Sequence, residues 1–464
     1  MKTVILSVSL LLSVPQLIYA VPSDLGVRAA NGEKRSTYLV LLKEKEKRDW
    51  DKILPELGFK TTGKTEHVHS SKGESGLDYK SYVYKSSDGA DITAFGATVR
   101  AFSKDMTADE KDRISKSALV DIMELDGLEG AKAGEARKAA EKAKKEKGKR
   151  EVMRFKRAAA APVKQTAAPW HLARISQKGA IKKEGEKPYQ PQPGYTYRYD
   201  GLAGEGVDIY VIDSGVDIKN PALSAKATSM FTAYEKDHQD YAGHGTHVSG
   251  AIASQDFGVA KKSNIIDVKI INKDNIPISV GLMGFDFAYA RHLQRKSQSG
   301  FKGSVINSSL GSASFGPSLI FRRLWAASFK DGMHIIMAAG NAGEDACYDL
   351  PEALSQSMPL ITVGASDIND AGANFSNYGP CVSIYAPGVN ILSPYQGKVA
   401  FLNGTSMATP QVAGMVAIEL GKNPKLQLDP KGMKKLLLSK ALKGMVKEPR
   451  SKAAPVLLYN GLDA

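Results

Sequence analysis

Cysteine is scarce in this chain: two residues, Cys347 and Cys381, among 464. That excludes a disulfide-dense scaffold and a multi-cysteine zinc or iron–sulfur framework. Long apolar runs are missing everywhere except at the start, and there is no internal repeat or glycine period. Collagen-like and coiled-coil architectures drop out, and 42% hydrophobic residues exclude a wholly disordered chain. The length leaves room for two to three domains, each able to bury a core. The net charge of +14 invites a nucleic-acid reading, but its distribution opposes one. Residues 127–157 hold 12 Lys/Arg against 5 Asp/Glu, so half the excess sits in one Ala/Lys/Glu-rich stretch. That stretch has no apolar stripe and no interleaved aromatics, which predicts a solvated spacer and no nucleic-acid partner.

The first 20 residues read as a secretory signal. Lys2 supplies the positive end, Val4 to Val14 the apolar region, Pro15 the break and Ala20 the small cleavage residue. The run is shorter than the roughly 20 residues a membrane helix needs, so no membrane span is expected. The expected destination is extracellular, with a vacuole as the alternative; in an oxidising compartment the two cysteines can pair.

Residues 21–126 predict a small α+β domain. Thr37–Lys43, Tyr82–Lys85, Ile92–Phe102 and Val120–Leu125 read as strands, with helices over Glu44–Leu57 and after Thr107. The order β-α-β-β-α-β suits a split βαβ, ferredoxin-like unit. Residues 127–160 are the basic spacer. From 161 to 464 the texture changes: apolar runs at Gly206–Asp213, Ile265–Ile271, Ser304–Leu310, His334–Ala339 and Leu360–Val363 alternate with helical stretches. Uninterrupted apolar strands between helices predict an α/β fold, a parallel sheet covered on both faces. Functional residues then belong beyond the carboxyl ends of its strands.

Four residues stand at such places. Asp213 ends the strand VDIYVID, His244 opens a helix in GHGTH, Asn341 closes MAAGN, and Ser406 enters an apolar helix in NGTSMATP. Singly, three of them have another reading: Asp213 as a turn former, Ser406 as an N-cap, His244 with His247 as a metal pair. The metal pair lacks the glutamate and third ligand of such motifs. Together they supply a hydroxyl, an imidazole to take its proton, a carboxylate to steady the imidazole, and an amide for a developing oxyanion. The chain order Asp, His, Ser is that of subtilisin, whereas a G-x-S-x-G hydrolase would place serine first.

The motifs VIDSGV (211–216), GHGTHVSG (243–250), AAGN (338–341) and GTSMATPQVAG (404–414) resemble those of the subtilisin-like serine proteases. APWHLARIS (168–176), FGVAKK (257–262) and FSNYGP (375–380) are similar to the proteinase K branch. The resemblance implies a subtilisin-like fold over roughly 167–461 and an inhibitory propeptide over 37–126. It implies Ser406 as nucleophile, His244 as general base, Asp213 as its partner and Asn341 as oxyanion donor. Ser309, Leu310 and Gly311 would border the specificity pocket with Ala338, Ala339 and Gly340. Such walls imply a broad apolar or aromatic preference, with no buried charge to select Lys or Arg. Trp170 would lie soon after the mature start, placing the processing cut between Arg157 and Lys164. The expected partners are peptide substrates and the chain's own propeptide, on a monomeric enzyme.

The resemblance also implies a disulfide between Cys347 and Cys381. Two departures stand out. Asn272–Ile278 carries Pro277 where relatives have a glycine-rich substrate-pairing edge, and Ser383 stands where relatives often place an acidic calcium ligand. No catalytic cofactor or metal is expected, and structural calcium is doubtful. Of three N-x-Ser/Thr triplets, only that of Asn374 falls outside the catalytic motifs, as a glycan acceptor.

Overall fold

The structure is a computed structural model that describes residues 35–71, 76–126, 161–181, 194–234, 236–272, 276–311, 318–451 and 455–463. The expected signal (1–20) and basic spacer (127–160) lie outside the described residues.

The N-terminal unit runs β1 (Ser36–Leu42), α1 (Trp50–Glu56), β2 (Thr61–Ser70), β3 (Tyr79–Ser86), β4 (Ile92–Phe95), β5 (Ala101–Met106), α2 (Ala108–Ser115) and β6 (Val120–Leu125). Its strands make one antiparallel sheet in the order β2-β3-β4-β5-β1-β6. The unit therefore has two more strands than expected. Polar β2 is mostly exposed at the sheet edge, so it shows no apolar alternation to read. The single strand expected over Ile92–Phe102 is two, because the chain reverses at Gly96, whose φ is +126°. A Cβ there would stand 1.6 Å from the Val99 carbonyl oxygen, which only glycine avoids. Helix α2 starts as the sequence implied, with Thr107 and Glu110 capping each other's backbone N–H.

The larger unit opens with a hairpin of β7 (Pro162–Ala168) and β8 (Tyr195–Asp200), with α3 (Trp170–Arg174) between. Then come β9 (Asp208–Asp213), β10 (Ala227–Thr232), α4 (His244–Ala253), β11 (Asn264–Lys269), α5 (Ile278–Arg295), β12 (Ser304–Ser308), α6 (Leu319–Lys330), β13 (His334–Ala338), β14 (Ile361–Ser366) and β15 (Ile384–Pro387). A hairpin of β16 (Ile391–Tyr395) and β17 (Lys398–Leu402) leads to α7 (Thr405–Lys422), α8 (Pro430–Lys440), β18 (Leu442–Lys443) and β19 (Val456–Leu457). The sheet order is β10-β11-β9-β12-β13-β14-β15-β19-β18, parallel except for the last pair. Strands β9, β12, β13 and β14 are buried along their whole length, as a sheet covered on both faces requires. Ile209 and Val211 face α4 and α7, while Tyr210 and Ile212 face α5 and α6. After β9 the chain goes out to the edge strand β10, comes back to β11 beside β9, then crosses to β12 on the other side. The carboxyl ends of β9 and β12 thus flank the switch point where such sheets bind ligands.

The N-terminal unit sits on the α5/α6 face. Leu39, Leu41, Tyr79, Phe95 and Ala101 join the same apolar cluster as Phe231, Phe287 and Ile320. Carboxylates finish the joint. Glu124 accepts from the Ser318 hydroxyl and the Leu319 N–H at the start of α6, and Asp126 accepts from the Ser279 N–H at the start of α5. Asp286, fully buried on α5, accepts from the N–H groups of Ala97, Thr98 and Val99, the Thr98 hydroxyl and the Tyr79 hydroxyl. Cys347 and Cys381 form the expected disulfide, their Cα atoms 5.2 Å apart. Among the described residues no helix is long and apolar enough to cross a membrane.

Candidate active site

Asp213 is the last residue of β9 and is wholly buried. Its Oδ1 accepts from the Ser214 N–H and lies 2.7 Å from His244 Nδ1. His244 is the first residue of α4, reached through Gly243 at φ +75°. The next position must be glycine: a Cβ on Gly245 would stand 2.1 Å from the Gly215 carbonyl oxygen, driving the helix start away from β9. Burial pulls the imidazole's pKa down, but the charge and hydrogen bond of Asp213, with the charge of Asp240, outweigh it and hold the pKa above its usual value. His247, by contrast, is fully buried, directs Nε2 at the carbonyls of Ile391 and Ala400, and is pushed down to about 4 by burial. It is a neutral core histidine that ties α4 to the β16–β17 hairpin.

Ser406 is the second residue of α7, where the helix N-terminus concentrates partial positive charge. Its hydroxyl donates to the Ser309 carbonyl at 2.9 Å, and the Ser309 hydroxyl returns a bond to the Ser406 carbonyl at 3.0 Å. No hydrogen bond joins Ser406 to His244 among the described residues, so the structure joins His244 to Asp213 but leaves the serine turned toward β12. Catalytic bonds of this kind commonly close only when substrate is in place. Asn341 follows β13, and its Oδ1 accepts from the N–H and hydroxyl of Thr405, both at 2.9 Å. With the oxygen committed, Nδ2 is the end of the amide left to donate. Ser309 and Leu310 are buried and Gly311 half-buried after β12, while Ala338 and Ala339 are buried and Gly340 half-buried at the end of β13. All ten residues therefore lie on the side of the sheet where the carboxyl ends of β9, β12 and β13 emerge.

The subtilase family profile matches residues 204–456, more than half of the chain. The chain belongs to the subtilase family. Cerevisin of Saccharomyces cerevisiae is 37% identical over 314 residues, covering 64% of this chain and 47% of that protein. Alkaline protease 2 of Aspergillus fumigatus is 36% identical over 318 residues, covering 65% and 61%. A solved structure of a cold adapted subtilisin-like serine proteinase superposes with a TM-score of 0.54 at 31% identity, covering 64% of this chain and 99% of that one. The chain thus spans about half the length of the first of these relatives and three-fifths of the second.

Two residues of this subtilase escaped the sequence reading. Asp240 accepts from the Gly243 N–H and the Ser214 hydroxyl through one oxygen, and from the Thr246 N–H and hydroxyl through the other. It thereby fixes both the start of α4 and the turn after β9; an acid four residues before His244 was the only available signal. The second is Glu352, fully buried, with Oε1 3.4 Å from where a Cβ on Gly311 would stand. The turn after Pro351 brings this side chain beside the Gly311 wall from outside the motifs. Pro277 stands directly before α5, and residues 273–275 of that departure lie outside the described residues. Ser383 is engaged with Thr362 of β14, its N–H donating to the carbonyl and its hydroxyl accepting from the N–H. Asn374 is exposed, as a glycan acceptor must be.

Proposed function

We propose that this subtilase is a serine endopeptidase made as a self-processing precursor. The observation that carries the reading is the Asp213–His244 bond at the switch point of the sheet, with Ser406 at a helix start and the Asn341 amide fixed by Thr405. In the reaction, Ser406 Oγ bonds to the carbonyl carbon of the substrate as its proton passes to His244 Nε2. Asp213 holds the imidazole by Nδ1 and balances the imidazolium. The oxyanion takes hydrogen bonds from Asn341 Nδ2 and the Ser406 N–H. Collapse breaks the C–N bond, the proton goes to the leaving amine, and water repeats the cycle on the acyl-serine.

Residues 21–126 act as the inhibitory propeptide, 127–160 as the join that is cut, and 161–464 as the catalytic domain. Support for inhibition comes from the carboxylates and shared apolar cluster that seat the N-terminal unit on α5 and α6. The pocket walls of Ser309–Gly311 and Ala338–Gly340 favour apolar and aromatic side chains. Residues 1–20 direct the chain out of the cell, or to a vacuole, and the enzyme acts as a monomer on peptides, without nucleic acid or membrane. Ser383 offers calcium one neutral oxygen already committed to Thr362, a poor substitute for a carboxylate, so calcium is bound weakly there if at all.

The test is labelling of the purified mature protein with a fluorophosphonate, followed by mass spectrometry. The expected result is one adduct on Ser406 and an N-terminus between 157 and 164. A folded protein that leaves Ser406 unlabelled while hydrolysing peptides overturns the assignment.

A further inference from the structure

Asn341 opens a short segment at the surface. Asn341, Ala342 and Glu344 are exposed, so burial does little to fix them. Gly340 and Gly343 carry φ values of +96° and +70°, a backbone that glycine adopts freely and that leaves the segment other shapes. Hydrogen bonds to the FSNYGP stretch hold it instead, with buried Asn377 at their centre. Asn377 Oδ1 accepts from the N–H groups of Ala342 at 3.0 Å and Glu344 at 3.1 Å, and its own N–H donates to the Gly340 carbonyl at 3.0 Å. The Gly343 N–H donates to the Phe375 carbonyl and the Tyr378 N–H to the Glu344 carbonyl, and the Cys347–Cys381 disulfide closes the far end of this pairing. Its near end is Asn341.

We infer that Asn377 is a positioning residue for the reaction, acting through Asn341 by setting where its amide stands. The inference rests on the protease reading above. Asn341 is held from two sides: Thr405 donates to its side-chain oxygen, and Asn377 bonds the residue before it and the residue after it. A Cβ on Gly404 would stand 3.7 Å from Asn341 Nδ2 and 3.5 Å from the Ser406 backbone nitrogen. Both oxyanion donors therefore border one spot, which glycine leaves open.

A donor fixed in advance stabilises developing charge without rearranging, and that is the source of its effect on turnover. An amide on a loose segment has first to be ordered, and a displacement of about 1 Å costs on the order of a hundredfold in rate. The residue type suits the task. A side-chain amide oxygen has two lone pairs and so takes two N–H groups at once. Asn377 Nδ2 lies 3.4 Å from Asp349 Oδ2, a contact that keeps the oxygen turned toward the segment. Truncation at Asn377 leaves the Ala342 and Glu344 N–H groups to water and the two glycines free to take other shapes.

The experiment measures kcat and KM of the activated enzyme on one peptide, for Asn377→Ala alone and combined with Asn341→Ala. Asn377→Ala alone is expected to lower kcat about ten- to a hundredfold, with KM within about threefold of the wild type. In the Asn341→Ala background there is no amide left to place, so the same change is expected to lower kcat by less than about threefold. A role confined to scaffolding would give equal losses in the two backgrounds. Equal losses therefore overturn the inference, as does an unchanged kcat or a loss confined to KM. Where Asn377→Ala is not recovered folded, Asn377→Ser is read by the same criteria. Its hydroxyl is too short to reach both N–H groups, and a loss of about three- to tenfold, absent in the Asn341→Ala background, is expected. Failure of the wild type to cut any peptide, with Ser406 unlabelled, brings down the protease reading itself and this inference with it.

Discussion

At the start of α4 one carboxylate, Asp240, gathers the N–H groups of Gly243 and Thr246, whereas at the starts of α5 and α6 the carboxylates are Asp126 and Glu124 of the N-terminal unit. The local chemistry is the same in both places: unpaired N–H groups and the positive end of a helix accept a negative group. What differs is the distance along the chain. Asp240 lies four residues before His244, so little loop entropy opposes its arrangement and the site keeps it permanently. Asp126 and Glu124 arrive across more than 150 residues, carried by the N-terminal unit, and would leave with it if the proposed cut released it. The first arrangement builds a site, and the second builds a joint that the proposed cut would make removable.

The comparison can be broken from either side. The largest effect is expected from Ser406→Ala, which should lower kcat by roughly a millionfold while leaving the joint intact. The chain should then accumulate uncut, on gels and by intact mass, in a host lacking related proteases. Asn341→Ala should lower kcat by about a hundred- to a thousandfold with KM little changed, since the amide acts on the oxyanion and not on the ground state. Steady-state kinetics on one peptide would show this, and a loss confined to KM would contradict the role.

Asp286→Ala attacks the joint instead. It strands the N–H groups of Ala97, Thr98 and Val99, so docking should weaken by about 2–5 kcal/mol. Limited proteolysis of the Ser406→Ala precursor should then remove the N-terminal unit faster, while the matured Asp286→Ala enzyme keeps its peptide kinetics. The smallest effect is a shift in pH. Activity needs neutral His244, whose pKa is raised in part by the charge of Asp240. Asp240→Asn removes that charge and lowers the pKa, so the acid limb of kcat/KM should move to lower pH by up to about one unit. An unmoved limb would assign Asp240 to scaffolding alone.

The candidate site was legible because each part is a short string whose residues act where they stand. GHGTH places His244 and the glycine that permits its helix to approach β9; AAGN and GTSMA do the same for Asn341 and Ser406. Glu352 was not legible, since nothing near it in the chain announces a pocket and only the packing of its turn against Gly311 brings it there. The parallel sheet was readable from its apolar runs. The polar edge strand β2 and the reversal at Gly96 were not, because an exposed edge needs no apolar alternation and one glycine does not break a run by composition.

The apolar cluster shared by Leu39, Leu41, Tyr79 and Phe95 with Phe231 and Phe287 joins described residues on either side of the join, so the proposed cut would leave those contacts in place. In time, this separates two events. On the proposed reading the cut is internal, and its rate would not change on dilution. Departure of the N-terminal unit would follow as a separate step, and each unit that left would free an enzyme able to digest units still seated on others. A stored population would therefore stay silent through a lag, then switch on steeply, with the length of the lag set by how tightly those few side chains hold.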